Sequence, residues 1–105
     1  MNKVSFTEVA WEQYLYWQTQ DKKTLKWINS LLKDIQRDPQ NGIGKLEKLK
    51  DNLSGYWSRR IDDKNSLVYK FDNEMIEIIQ CKTHYGDKWS NIKTVDILSD
   101  VFFKF

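Results

Sequence analysis

One apolar stripe constrains this chain more than any other feature. Leu25, Ile28, Leu32 and Ile35 follow one another at steps of three, four and three. In an α-helix the third and fourth neighbours lie on one face, so this spacing predicts an amphipathic helix. Asp21 stands just ahead of it as an N-cap, its carboxylate able to accept first-turn N–H groups and favoured by the positive helix end. The helix is expected to run to about Arg37. Asp38-Pro39 stops it, because a residue preceding proline is pushed out of the helical region. A helix apolar on one side needs a second layer to cover it.

The rest of the chain supplies that layer. Val4 and Phe6 alternate with Lys3 and Ser5, the period of a short strand. Thr7 can cap a helix that puts Ala10, Tyr14 and Trp17 on one face. Few residues separate the two helices, so they are expected to form an antiparallel hairpin. Beyond the loop Asn41-Gly42-Ile43-Gly44 come three strand-like runs, at 56–61, 67–71 and 75–81. The polar turns Asp62-Asp63-Lys64-Asn65 and Asp72-Asn73 join them, which predicts antiparallel pairing. The order is β-α-α-β-β-β, an α+β domain with a helical hairpin on a small antiparallel sheet. The register of the first two runs stays open. A four-residue loop puts Arg60 opposite Leu67, and one more loop residue puts Ile61 there.

Composition narrows the function classes. The chain has 105 residues, enough for one domain, and is 40% hydrophobic with five each of Trp, Tyr and Phe. It has one cysteine and one histidine. A disulfide framework and a Cys- or His-based metal centre are therefore not expected. No apolar run approaches the length of a membrane span, and the start lacks the core of a secretory signal, so a cytoplasmic protein is expected. Cys81 reads as a small buried hydrophobe. Residues 86–105 are different in character. Lys88, Lys93 and Lys104 balance Asp87, Asp96 and Asp100, among nine large apolar residues. Val95, Leu98, Phe102 and Phe105 fit a helix face; Val95, Ile97, Val101, Phe103 and Phe105 fit a strand. Either way this segment is expected to dock on the domain or on a partner.

Lys45, Lys48, Lys50, Arg59 and Arg60 cluster near Tyr56 and Trp57. Cations beside aromatic rings on a sheet suit RNA, whose phosphates need charge and whose unstacked bases need π faces. The same pattern also serves as a solvated, lysine-guarded sheet edge. Glu47 lies between two lysines, Lys45 and Lys48, and reads as a surface ion-pair partner. His84, just past the third strand run, reads as a structural, an exposed or a catalytic histidine. Trp27 lies off the apolar stripe, which suggests a contact with residues 86–105 or with a partner.

Several segments together resemble one family. They are 51–61 (Asp-Asn-Leu-Ser-Gly-Tyr-Trp-Ser-Arg-Arg-Ile), Tyr14-Leu15-Tyr16-Trp17-Gln18, Leu67-Val68-Tyr69 and His84-Tyr85. They look like the YoeB toxins of YoeB–YefM toxin–antitoxin pairs, in the RelE/ParE superfamily. The resemblance covers residues 1–85, leaving 86–105 as an extension. It implies the RelE/YoeB-like α+β fold and a ribosome-dependent endoribonuclease that cuts mRNA in the A site without metal or cofactor. It also implies a homodimer, a YefM-like antitoxin, and operator DNA bound only through the antitoxin complex. By the family pattern Glu47 is the base for the 2′-OH, and His84 is the acid for the leaving 5′-oxygen. Tyr85 positions the substrate, and Lys50, Arg59 and Arg60 hold phosphates, with the two arginines nominated jointly.

The sequence departs from that pattern in four places. Ser66 stands where the family has an arginine that would clamp the scissile phosphate in a bidentate grip. Leu46 replaces the proline before Glu47, Trp27 replaces a basic residue, and 86–105 follow the usual end. These departures motivate an alternative, a defused toxin that binds antitoxin without cutting RNA. A gyrase-directed ParE activity fits less well, because the Glu47 and His84-Tyr85 pattern belongs to the nuclease branch.

Overall fold

The computed structural model describes residues 2–82. His84, Tyr85 and the extension 86–105 lie outside the described residues. Strand β1 (Lys3–Phe6) leads into helix α1 (Glu8–Gln20), and α2 (Lys22–Arg37) follows after one residue. Then come β2 (Glu47–Lys48), a 3₁₀ turn (Asp51–Leu53), β3 (Trp57–Arg60), β4 (Ser66–Phe71) and β5 (Met75–Gln80). The sheet order is β1-β5-β4-β3-β2.

The caps fall where the sequence puts them. Thr7 Oγ1 accepts the Ala10 N–H at 3.0 Å and donates to the Ile79 carbonyl at 3.0 Å, so one hydroxyl starts α1 and ties it to the sheet. Asp21 accepts the Thr24 N–H at 3.0 Å and opens α2. The helices fold back on each other, with the Tyr14 hydroxyl donating to Asn29 Oδ1 at 2.7 Å. Ile28, Leu31 and Ile35 are buried on α2, with Leu25 and Leu32 packed at the margin. Leu67, Tyr69, Ile76 and Ile78 from the sheet, with Ile61 just past β3, belong to the same cluster. A smaller cluster, Leu49, Val68 and Ile79 with Leu53 and Tyr56, occupies the other face of the sheet. Cys81 is fully buried, and burial pushes its thiol up to about 12.

Three features differ from the expected sheet. β1 runs parallel to β5, pairing Lys3 with Met75 and Phe6 with Ile78, so the sheet is mixed and its antiparallel part is β2 to β5. β2 is an additional strand, at the sheet edge among the described residues, and at two residues long it is too short to show alternation. The register between β3 and β4 is neither of the two considered: Arg59, not Arg60 or Ile61, faces Leu67, and Arg60 faces Ser66. The cause lies in the turn. Asp62 Oδ1 accepts the N–H groups of Lys64 and Asn65, both at 2.8 Å, while the Asn65 carbonyl accepts from Ile61 and Asp62. Asn65 is thereby drawn into pairing and the loop shrinks to three residues.

Candidate functional site

Cross-strand partners in a sheet share a face. The pairs Glu47–Ser58, Ser58–Val68 and Val68–Gln80 therefore form one row across β2 to β5. That row faces away from the helices, on the side of the Leu49–Val68–Ile79 cluster. Arg60 and Ser66 stand two residues further along, opposite each other and on the same face. From strand geometry the Cα of Arg60 lies roughly 8 Å from that of Glu47 and that of Ser66 roughly 12 Å away. An arginine side chain spans most of either gap. Ser58 and Ser66 are each only 2% exposed, and their hydroxyls make no hydrogen bond among the described residues. The Arg60 guanidinium is also unbonded among those residues. Its backbone carbonyl accepts the Trp27 indole N–H at 3.2 Å. That bond ties Trp27, half-exposed, to the end of β3 in its own chain.

Arg59 points the other way and is fully buried. Its guanidinium donates to the Asp34 carboxylate and to the carbonyls of Ile43 (3.2 Å), Asp38 (2.9 Å) and Asn41 (3.4 Å). Its Nε donates to the Tyr69 hydroxyl at 3.2 Å, and that hydroxyl donates to the Pro39 carbonyl at 2.7 Å. The two neighbouring arginines thus have different tasks: Arg60 shares the face of Glu47, and Arg59 is turned away from it. Lys50 is exposed and precedes the 3₁₀ turn after β2. Lys48 faces the helix side, its ammonium 5.6 Å from the centre of the Trp57 ring. His84 and Tyr85 lie outside the described residues.

The buried network was not legible as a set. Asp34 carried no signal of its own, Tyr69 entered only within the Leu67-Val68-Tyr69 segment, and 41–44 read only as a loop. Burial tends to raise the Asp34 carboxyl, but the Ile43 N–H, Arg37 and Arg59 outweigh it and hold the group below the usual carboxylate range. Burial also raises Tyr69, against the opposing pull of Arg59. A depressed folded-state pKa stabilises above the unfolded value, about 3.9 for Asp, and that contribution is lost as the pH falls through the folded value. Asp34→Asn is therefore expected to cost most stability near neutrality. The gap to the unaltered chain should narrow in urea unfolding between about pH 5 and pH 2. A gap that stays constant would show that Asp34 is not the titrating group. Some slope remains in the variant, because hydrogen bonds from Thr24, from Gln40 and Asn41, and from Glu74 and Met75 also lower Asp21, Asp38 and Asp72 respectively.

No group of three or more His, Cys, Asp or Glu side chains able to hold a metal ion occurs among the described residues. Nor is any helix there long and apolar enough to cross a membrane.

The sequence family described as YoeB-like toxin of bacterial type II toxin–antitoxin systems matches residues 6–85. Toxin YoeB of Synechocystis is 55% identical over 83 residues, covering 79% of this chain and 96% of that protein. Toxin YoeB of Escherichia coli K12 is 48% identical over 83 residues, 79% of this chain and 99% of its own. Among solved structures, the YoeB dimer from Staphylococcus aureus superposes with a TM-score of 0.75 at 50% identity, covering 80% of this chain and 98% of that one. A heterotetrameric YoeB–YefM toxin–antitoxin complex from the same organism gives 0.74 at 50% identity, covering 81% and 99%.

Proposed function

This chain belongs to the YoeB-like toxins of bacterial type II toxin–antitoxin systems, and from that premise we propose that it is a ribosome-dependent endoribonuclease whose site is the sheet face turned away from the helices. The observation that supports this most is the gathering of Glu47, Arg60 and Ser66 on that face by the pairing of β2, β3 and β4.

The chemistry needs three things there. A base must take the proton of the 2′-OH as its oxygen attacks phosphorus. An acid must protonate the 5′-oxygen as its bond to phosphorus breaks. Cations must balance the charge of the crowded phosphorane. Glu47 is the base. His84, two residues beyond the described segment, is the acid, and Tyr85 orients the phosphate. Arg60 and Lys50 supply charge. Arg59 is committed to Asp34 and to the 38–43 carbonyls, so it leaves the joint nomination of phosphate ligands. The products are a cyclic 2′,3′-phosphate and a free 5′-hydroxyl, which balances protons without a further reactant.

We assign this chain a YefM-like antitoxin and a second copy of itself as partners, by analogy with the Staphylococcus aureus assemblies. Exposed Trp11, Leu15 and Tyr16 on α1 offer apolar area for such contacts. Operator DNA is reached only through the antitoxin complex. A ribosomal substrate implies action in the cytoplasm.

A second reading rests on Ser66, a neutral side chain on the proposed site where family members carry a guanidinium. It is a toxin that binds antitoxin but does not cut. Toeprinting on programmed ribosomes separates the two. The nuclease reading expects A-site cleavage by the unaltered chain, raised by Ser66→Arg toward the 10²-fold typical of one charge-stabilising donor. Folded protein that makes no cut, either unaltered, as Ser66→Arg or ended after Tyr85, leaves the binding reading.

A further inference from the structure

We propose that Arg59, held between Asp34 and Tyr69, is a positioning residue that sets where Glu47 stands on the sheet face. The inference rests on the nuclease reading above and deepens it with a group that touches no RNA.

Among the described residues, β2 is a two-residue strand at the end of the sheet, paired with β3. A strand of two residues forms few ladder bonds, so the chain that delivers it helps to set its place. That chain is the loop after α2, and it ends on Arg59. The carbonyls of Asp38, Asn41 and Ile43 all accept from one guanidinium, and Pro39 accepts from the hydroxyl of Tyr69, itself bonded to Arg59. Asp34 closes the set, accepting from Arg59 and from the Ile43 N–H at 3.0 Å.

The loop is pressed onto this group. A Cβ at Gly42 would lie 1.8 Å from Asp34 Oδ2 and 2.7 Å from Arg59 Nη1, and φ there is +146°. The next glycine, Gly44, gives its carbonyl to the Arg60 N–H at 2.6 Å. Three residues on is Glu47. Arg59 therefore fixes the approach to Glu47 from one side of the sheet, while the side chain of Arg60 emerges on the other. A fork of five N–H donors suits this task, because it sets directions that a point charge does not.

The test uses Tyr69→Phe, which removes one hydroxyl and keeps the ring, and Arg59→Lys, which keeps the charge and loses the fork. Cleavage is measured on programmed ribosomes over a range of ribosome concentration. Hydrogen exchange is followed at the Ile43 and Arg60 amides. Both variants are expected to fold, to exchange faster at those amides, and to lose kcat by about tenfold to a hundredfold, as misplacement of a reacting group by about 1 Å does. KM should stay within about twofold, since the phosphate contacts are untouched. A purely structural role would lower the melting temperature and leave the kcat of folded protein alone.

Unchanged kcat in folded Tyr69→Phe overturns the inference, as does a loss confined to KM or one without faster exchange at either amide. If Arg59→Lys does not fold, Tyr69→Phe alone decides. An unaltered chain that cuts nothing removes the nuclease reading, and this inference with it. An active chain with an equally active Tyr69→Phe removes this inference alone.

Discussion

Glu47→Gln is expected to slow mRNA cleavage on programmed ribosomes by about 10²- to 10⁴-fold, the usual contribution of a positioned general base. Folding stability should stay within about 1 kcal/mol of the unaltered chain, as for most exposed substitutions. The side chain is exposed on an edge strand, and glutamine keeps its length and leaves the backbone pairing with Ser58 intact. What the amide lacks is a lone pair basic enough to take the 2′-OH proton. Lys48→Gln is the matched control. It changes the next residue of the same two-residue strand, but Lys48 pairs with Trp57 and faces the helix side. Its loss should change the rate by less than about fivefold. Equal losses from the two substitutions would mean that the edge strand, not the carboxylate, had been damaged. A fully active Glu47→Gln would require a different base.

The contrast between Glu47 and Lys48 also marks how far the sequence could be read. Both helices were legible because a period near 3.6 and two side-chain caps, Thr7 and Asp21, are local properties. Even so, Leu31 rather than Leu25 or Leu32 lies at the centre of the packing. Ile28, Leu31 and Ile35 satisfy the same steps, and the sheet beneath selects among them. β4 and β5 were legible as apolar runs. β2 was not, since two residues carry no period. The parallel pairing of β1 with β5 links residues about seventy positions apart, which no local pattern reports.

The register of β3 failed for one identifiable reason. Asp62 folds its carboxylate over two amides and shortens the loop. A single residue of slip exchanges the faces of a strand. The position of Glu47 as a candidate came from family resemblance, and its face from β2 pairing. The identity of the phosphate-facing arginine depended on that one turn.

Arg59→Met is therefore expected to cost about 3–5 kcal/mol of folding stability, the range for breaking a buried ion pair from one side. That is a large part of the roughly 5–15 kcal/mol that holds a small domain folded. Methionine replaces most of the apolar stem, so the loss is mainly electrostatic. The Asp34 carboxylate and three loop carbonyls lose their shared donor, and the Tyr69 hydroxyl loses the Nε bond. Arg59→Met combined with Asp34→Leu should cost less than the two single changes added, by about 1–3 kcal/mol, because the second change removes the stranded charge. The carbonyls still lack partners, so recovery is partial. Arg60→Met is the counterpart. Its side chain is half-buried with no bond among the described residues, so it should cost under about 1 kcal/mol in urea unfolding. The functional effects should run differently: Arg60→Met should weaken cleavage of protein that is fully folded, whereas Arg59→Met should first lower the amount of folded protein. Equal unfolding free energies for the two methionine variants would mean that the arginines share an environment. The pairing of Arg59 with Leu67 and of Arg60 with Ser66 would then be wrong by one residue.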